Sequence, residues 1–305
     1  MNTFEENLLA ELADIHGVPE GAYNIRANGK AVGRNSSANI EIVPKEDKPG
    51  IDIIIKAGTK HESVHIPVII SESGLKDLVY NDFYIGEDAD VTIVAGCGIH
   101  NCGDQESAHD GIHTFHLAKN AKVKYIEKHI GDGDVRGKNI MNPQTILYLD
   151  EGSYLEMETS QIRGIDSTVR STEGELKDNA TVVVKEKIMT HGEQLAKTNF
   201  DVKLNGKGSS ANVISRSVAK EDSRQEFLSH IVGNAECYGH TECDAIIMDN
   251  AVVTAIPKLT AACVDASLIH EAAIGKIAGE QLIKLMTLGL TEQEAEEQII
   301  NGFLK

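Results

Sequence analysis

A turn-and-strand unit recurs through the middle of the chain and limits the folds open to it. The unit is an apolar residue, a spacer, a turn pair drawn from Asp, Glu, Asn, Gly and Lys, a small residue, a second spacer and an apolar strand. It reads Ile85-Gly86-Glu87-Asp88-Ala89-Asp90-Val91, then Leu117-Ala118-Lys119-Asn120-Ala121-Lys122-Val123. It returns at Leu149-Asp150-Glu151-Gly152-Ser153-Tyr154-Leu155 and Leu176-Lys177-Asp178-Asn179-Ala180-Thr181-Val182, with looser copies from Leu204 and Ile247. Successive starts lie 32, 32, 27, 28 and 43 residues apart. A unit of this length cannot bury its own apolar face, so it stacks on its neighbours as a solenoid. The intervening apolar runs alternate with polar residues, as in Ile40-Glu41-Ile42-Val43 and Ile51-Asp52-Ile53-Ile54-Ile55, which is the strand period. The expectation is a mainly β chain with a parallel β-helix over residues 37–264; a β-sandwich, which uses similar tight turns, is the alternative.

The flanks read as helices. Thr3 and Glu6 form a capping box, Leu8, Leu9, Leu12 and Ile15 follow at helical spacing, and Gly17-Val18-Pro19 stops the run, giving an N-terminal helix and lead-in over 1–36. A small helical domain is expected over 265–305. It opens with a capped turn at Asp265–Ala273, continues with a helix from Gly279 to Leu288 closed by Gly289, and ends with a second capping box, Thr291 and Glu294, ahead of Ala295, Ile299 and Ile300.

Composition excludes several functions. The 305 residues carry a net charge of −18, which repels nucleic acid and anionic membrane surfaces. No apolar run approaches the roughly 20 residues of a membrane span, and Met1–Glu6 offers neither a basic stretch nor an apolar signal core, so a cytoplasmic location is expected. Aromatic residues are 4% with no Trp, which favours a core of Val, Ile, Leu and Ala. Five Cys, an odd number, argue for free thiols or metal ligation over a disulfide framework. Phosphate-loop, dinucleotide and nucleophile-elbow motifs do not occur, so any nucleotide chemistry comes from another chain.

Two constellations can bind soft metals. In Gly96-Cys97-Gly98-Ile99-His100-Asn101-Cys102-Gly103 two thiols flank a His, and the glycines would admit an ion close to the backbone. His109, His113, His116 and His129 follow, so five of the twelve histidines fall within thirty residues. The odd separation puts the thiols on opposite faces of a strand, so joint ligation needs a turn. The bland alternative is that the thiols are small core residues and the histidines sit on solvated faces. In Cys237-Tyr238-Gly239-His240-Thr241-Glu242-Cys243-Asp244 the thiols share a strand face with His240 opposite; Cys263 and His270-Glu271 lie downstream. Neither spacing matches a zinc finger or a ferredoxin.

The C-terminal string is more specific. Ala255-Ile256-Pro257, His270-Glu271-Ala272-Ala273-Ile274-Gly275, Met286, Gly289-Leu290 and Asn301-Gly302-Phe303, together with Gly111-Ile112-His113, Lys119-Asn120-Ala121 and Glu127-Lys128-His129, resemble the SufB/SufD family of iron–sulfur cluster assembly scaffolds. The chain looks like the compact form found beside a SufC-type ABC ATPase, without the family's longer N-terminal region. The resemblance implies a right-handed β-helix whose members pair through their β-helices, with a terminal helical domain that docks the ATPase. It implies that Cys243, in Cys243-Asp244-Ala245-Ile246-Ile247, receives sulfur or ligates the nascent cluster, with His270 and Glu271 as further metal ligands. The family's preceding Glu is Ile269 here, and its helical aromatic pair is Ile283-Lys284. Cys97, Cys102, Cys237 and Cys263 remain candidates for cluster or sulfur binding on their chemistry alone. The resulting expectation is a non-enzymatic scaffold: a homodimer that takes iron and sulfide, holds a transient iron–sulfur cluster and passes it to apo iron–sulfur proteins under ATPase control. The alternatives are a non-assembling, SufD-like partner of the ATPase, and a metal-dependent β-solenoid hydrolase or lyase with its ion at Gly96–Gly103.

Overall fold

The repeat folds as its periodicity requires. The structure, a computed structural model, describes residues 3–13, 20–133 and 136–305, with side chains from Leu8 onward. The N-terminal capping box and the stop at Gly17-Val18-Pro19, with Ile15, lie outside what is described. The described residues are mainly strand, a β-solenoid of about eight turns with helices at both ends. From Lys60–Ile70 onward the chain alternates between two ten-stranded sheets, except that Asn139–Met141 and Gln144–Leu149 follow one another in the second. Within each sheet the strands from Lys60–Ile70 to Ala266–Gly275 run parallel, so every residue stacks on its counterpart one turn away.

One corner of each turn is built by the recurring unit. Gly58, Asp88, Asn120, Gly152, Asn179 and Gly208 occupy the same place in six successive turns, each with φ between 55° and 71° or 72°. Asn and Asp tolerate this left-handed conformation and Gly adopts it without strain. The N–H of each reaches the carbonyl of the next turn, as in Asp88 to Lys119 at 3.0 Å and Asn120 to Glu151 at 2.9 Å. The copy from Ile247 is displaced, which explains its 43-residue gap. Ile247 ends a strand of the first sheet, whereas Leu204 ends one of the second. Both corners use the same local chemistry, with Glu221 and Asp249 at φ 58° and 56° on the opposite edge.

The interior is a continuous apolar column of Val, Ile, Leu and Ala, yet the scarce rings are inside it: Phe83, Phe115, Tyr125 and Phe200 are fully buried, and Phe83 stacks on Phe115 at 4.4 Å. The N-terminal end is closed by antiparallel pairs, Ala22–Ala27 with Lys30–Asn35 and Ile40–Pro44 with Gly50–Ile55. Strands therefore begin before residue 37. The C-terminal end is bare. Val252–Ala261 and Ala266–Gly275 are the last strands of their sheets, each with a free edge and with Val252, Ile256, Leu259, Ile269 and Ile274 exposed.

The segment expected to open the helical domain as a capped turn is instead that last strand, Ala266–Gly275. Its Ala272-Ala273 pair favours a helix locally, but the backbone groups of Cys237–Ile247 are already aligned as a template and continue the ladder. The helices follow at Gly279–Met286 and Glu292–Phe303. Thr291 and Glu294 form the expected capping box, and Gly289 takes φ +99° after the first of the two. Ile300 and Leu304 pack on Val218 and Ile246, which fastens the second helix to the solenoid. No helix among the described residues is long and apolar enough to cross a membrane.

Candidate functional site

Alternation along Cys237–Ile247 sends Cys237, Thr241 and Cys243 inward, and His240, Glu242 and Asp244 outward. The parallel ladder stacks Ser215, Cys243 and Ala272, and beside them Val213, Thr241 and His270. Cys243 and His270 thus share the interior of the last two turns, offset by two residues. Cys243 is 1% exposed. Burial, with Glu186 and Asp244 nearby, pushes its thiol up to about 12. His270 Nδ1 lies 2.6 Å from Thr241 Oγ1. Its burial and the neighbouring His240 lower the imidazole pKa, opposed by Thr241 and Glu271, so the ring is a neutral donor suited to a metal.

Glu271, the third expected ligand, faces the other way. It stands opposite Glu242 on the outer face, and His240 Nε2 is 3.9 Å from Glu271 Oε2. His240, Glu242 and Glu271 each offer a ligand atom within 4.8 Å of the others. Asn212 Oδ1 accepts from His240 Nδ1 at 2.9 Å, which leaves Nε2 toward the carboxylates, the orientation a metal-binding His needs. Burial and the Asp244 carboxylate push Glu242 up. Two carboxylates stacked across a ladder repel, and a cation between them relieves that. Sequence reasoning placed His240 opposite the thiols but assigned no role to Glu242; their spacing of two, on the face away from Cys243, was the available signal.

The remaining thiols do not converge on this site. Cys237 is about 20 Å from Cys243 at 3.3 Å per residue, at the corner where Cys263 also lies. Cys97 and Cys102 sit near the strand Asp90–Asn101, five strands away in the first sheet, or about 24 Å. They are not a chelating pair. Cys97 is buried with Val68, Ile70 and Ile99, whereas Cys102 is in the exposed turn beyond the strand. The two glycines flanking Cys97 seat the N-terminal helix: a Cβ on Gly98 would fall 2.5 Å from Leu8, and one on Gly96 3.4 Å from Leu12. The part of Gly96–Gly103 that is strand, up to Asn101, meets the N-terminal helix at Gly96 and Gly98, and the two thiols of the segment do not face one another.

The histidines differ too. His109, His113 and His129 are buried and not on solvated faces, whereas His116 stacks outside, between Tyr84 and Tyr148. They belong to a polar line running inside the solenoid. Asn81 Nδ2 lies 3.4 Å from His113 Nε2, His113 Nδ1 2.8 Å from Tyr125 OH, and Tyr125 OH donates to Glu127 at 2.8 Å. Arg170 binds Glu127 at 2.6 Å and sits 3.1 Å from His129 and 3.5 Å from Glu186. Thr198 and Ser215 donate to Glu186 at 2.9 and 3.0 Å, and Ser215 is the ladder partner of Cys243. Burial would raise the Glu127 carboxyl, but His129 and Arg170 outweigh it and hold the group well below the usual range. Glu186, with weaker compensation, is pushed up. This hydrogen-bonded line therefore reaches Ser215, directly beneath the thiol.

A model of the SUF system FeS cluster assembly SufBD core domain matches residues 79–303. The chain belongs to the SufBD family. It is 31% identical over 245 residues to an iron-sulfur cluster assembly SufBD family protein of Methanothermobacter thermautotrophicus, covering 78% of this chain and 57% of that one. A SufBD family protein of Methanocaldococcus jannaschii is 30% identical over 258 residues, 83% of this chain and 79% of its own length. The iron-sulfur cluster assembly protein SufB of Bacillus subtilis is 35% identical over 100 residues, 32% of this chain and 22% of SufB. The chain thus spans less than two thirds of the Methanothermobacter protein. SufBD proteins are components of iron–sulfur cluster assembly, and the solenoid described above is this chain's version of their core.

Proposed function

We propose that this SufBD chain is the scaffold on which an iron–sulfur cluster is assembled, with Cys243 and His270 receiving sulfide and iron at the open end of the solenoid. The observation that carries this reading is the shared inward face of Cys243 and His270 in the last two turns, with His270 on the outermost turn and Cys243 one turn beneath it. Thiolate and neutral imidazole are donors that ferrous iron accepts, the Cys243 proton leaves as iron binds, sulfide joins as a ligand of the iron, and a sparse mixed set releases its cargo more readily than four thiolates would. Ferrous iron enters through the outer cluster of His240, Glu242 and Glu271, whose oxygen-rich donors bind it more weakly than thiolate does.

A second copy of the chain completes the site. The exposed Ile256, Leu259, Ile269 and Ile274 and the two free strand edges at the open end favour pairing between copies, and a two-fold contact would present each ligand twice. An ABC-type ATPase docks on the helix Gly279–Met286, none of whose residues is buried and which exposes Ile283 and Met286. ATP binding there shifts the population of dimer arrangements and exposes the cluster to apo iron–sulfur proteins. Anaerobic reconstitution with iron and sulfide tests the assignment. Cys243→Ser should lose most bound iron and sulfide while keeping the wild-type circular dichroism. Iron and sulfide at wild-type levels in that variant would overturn the reading.

A further inference from the structure

The exposed turn after Asp90–Asn101 holds a grouping outside the cluster site proposed above. Cys102 Sγ lies 2.9 Å from His100 Nε2, and the Asp132 carboxylate is 3.9 Å from Nδ1 on the far side of the same ring. Asn101, 1% exposed, fixes the turn: its Nδ2 donates to the Gln105 carbonyl at 2.7 Å, and its Oδ1 accepts from Gly103 N at 3.1 Å. Cys102 is exposed, whereas Cys97, Cys237 and Cys243 are buried and Cys263 is half-buried. A nucleophile, a base within hydrogen-bond reach and a third group beside that base make up the arrangement of an activated side chain.

We propose that Cys102 is a nucleophilic thiol that exchanges with small disulfides, with His100 as its general base and Asp132 as the residue that steadies the imidazolium. The Cys102 sulfur attacks one sulfur of the disulfide, and its proton passes to His100 Nε2. A new bond forms from Sγ to that sulfur, the old sulfur–sulfur bond breaks, and the departing thiolate takes the proton from His100. The protein ends as a mixed disulfide and one small thiol is released, so no outside oxidant or reductant is required. The site stands five strands, at least about 24 Å, from Cys243, and the proposal is independent of the cluster reading.

Dithiodipyridine, a neutral disulfide whose released thiopyridone absorbs light, tests the proposal on the full-length native protein. One equivalent should react in a fast phase, and peptide mass spectrometry should find it on Cys102. Cys102→Ser should delete that phase. His100→Gln should slow it at least tenfold at neutral pH, since a positioned base contributes on the order of a hundredfold or more, and leave a rate that climbs with pH like that of a free thiol. Asp132→Asn, a milder change that leaves the thiol and ring in place, should slow the phase by a smaller factor. A His100→Gln protein of native circular dichroism with the wild-type rate and pH profile would overturn the assignment, as would fast labelling of Cys263 in place of Cys102.

Discussion

His113 shows how the buried polar line fixes protonation. Its Nδ1 donates to Tyr125 OH, because that hydroxyl's own proton is given to Glu127, so Nε2 is left as the acceptor facing Asn81. Burial, opposed by Glu127 and reinforced by His109 and His129, pushes His113 down to about 4 from 6.5. The unfolded chain therefore binds a proton on this ring below 6.5 and the folded chain does so only below about 4. Stability falls as pH drops through that window, by about 3 kcal/mol from this group. The stability difference between wild type and His113→Asn should narrow by that amount between pH 6.5 and 4 in urea titrations; a constant difference would contradict it. None of these inward polar positions was legible beforehand. In Ser167–Leu176 the buried residues Thr168, Arg170 and Thr172 are polar and alternate with Val169 and Ser171, so period-two reasoning turns the strand inside out. That Cys243 shares a strand face with Cys237 was legible, because six residues separate them, whereas a part in cluster assembly was suggested only by the resemblance of Cys243-Asp244-Ala245-Ile246-Ile247.

The N-terminal helix and the last strand show why local signals succeed in one place and fail in another. Leu8, Leu9 and Leu12 announced an apolar stripe, and the structure buries all three. What the stripe packs on could not be read, since Gly96 and Gly98 serve a metal-binding loop and a flat helix seat equally well. Gly98→Val would drive side-chain carbons into Leu8 and should cost about 1–3 kcal/mol, with faster proteolysis near Ala13, while iron loading at Cys243 stays unchanged. Retained stability would mean that the helix moves without penalty. Ala266–Gly275 failed for the opposite reason. Its local propensity is helical and its strand state comes from the preceding turn of the solenoid, a contact twenty-nine residues away in sequence, as Thr241 and His270 illustrate.

The molecule as a whole was legible because its repeat is nearly regular: two sheets, one corner motif and about eight turns follow from a unit of roughly thirty residues. What the repeat could not disclose is the asymmetry of its ends. Antiparallel strands close one end, and the other is left with two free edges and a row of exposed apolar side chains. A structure of this kind behaves as a one-dimensional lattice in which interior turns have two neighbours and a terminal turn has one. Fraying should therefore start at residues 252–275 and spread inward like an opening zipper. Amide hydrogen exchange should be faster in that span than in Thr181–Thr190, and should slow as protein concentration rises and copies associate. Uniform protection at every concentration would exclude both the gradient and the pairing. His270 hangs on the one turn free to unzip and Cys243 on the turn beneath it. On the function proposed above, forming the last rung and preparing to receive iron would be a single cooperative event, so a partner that splints the end would also switch the site on.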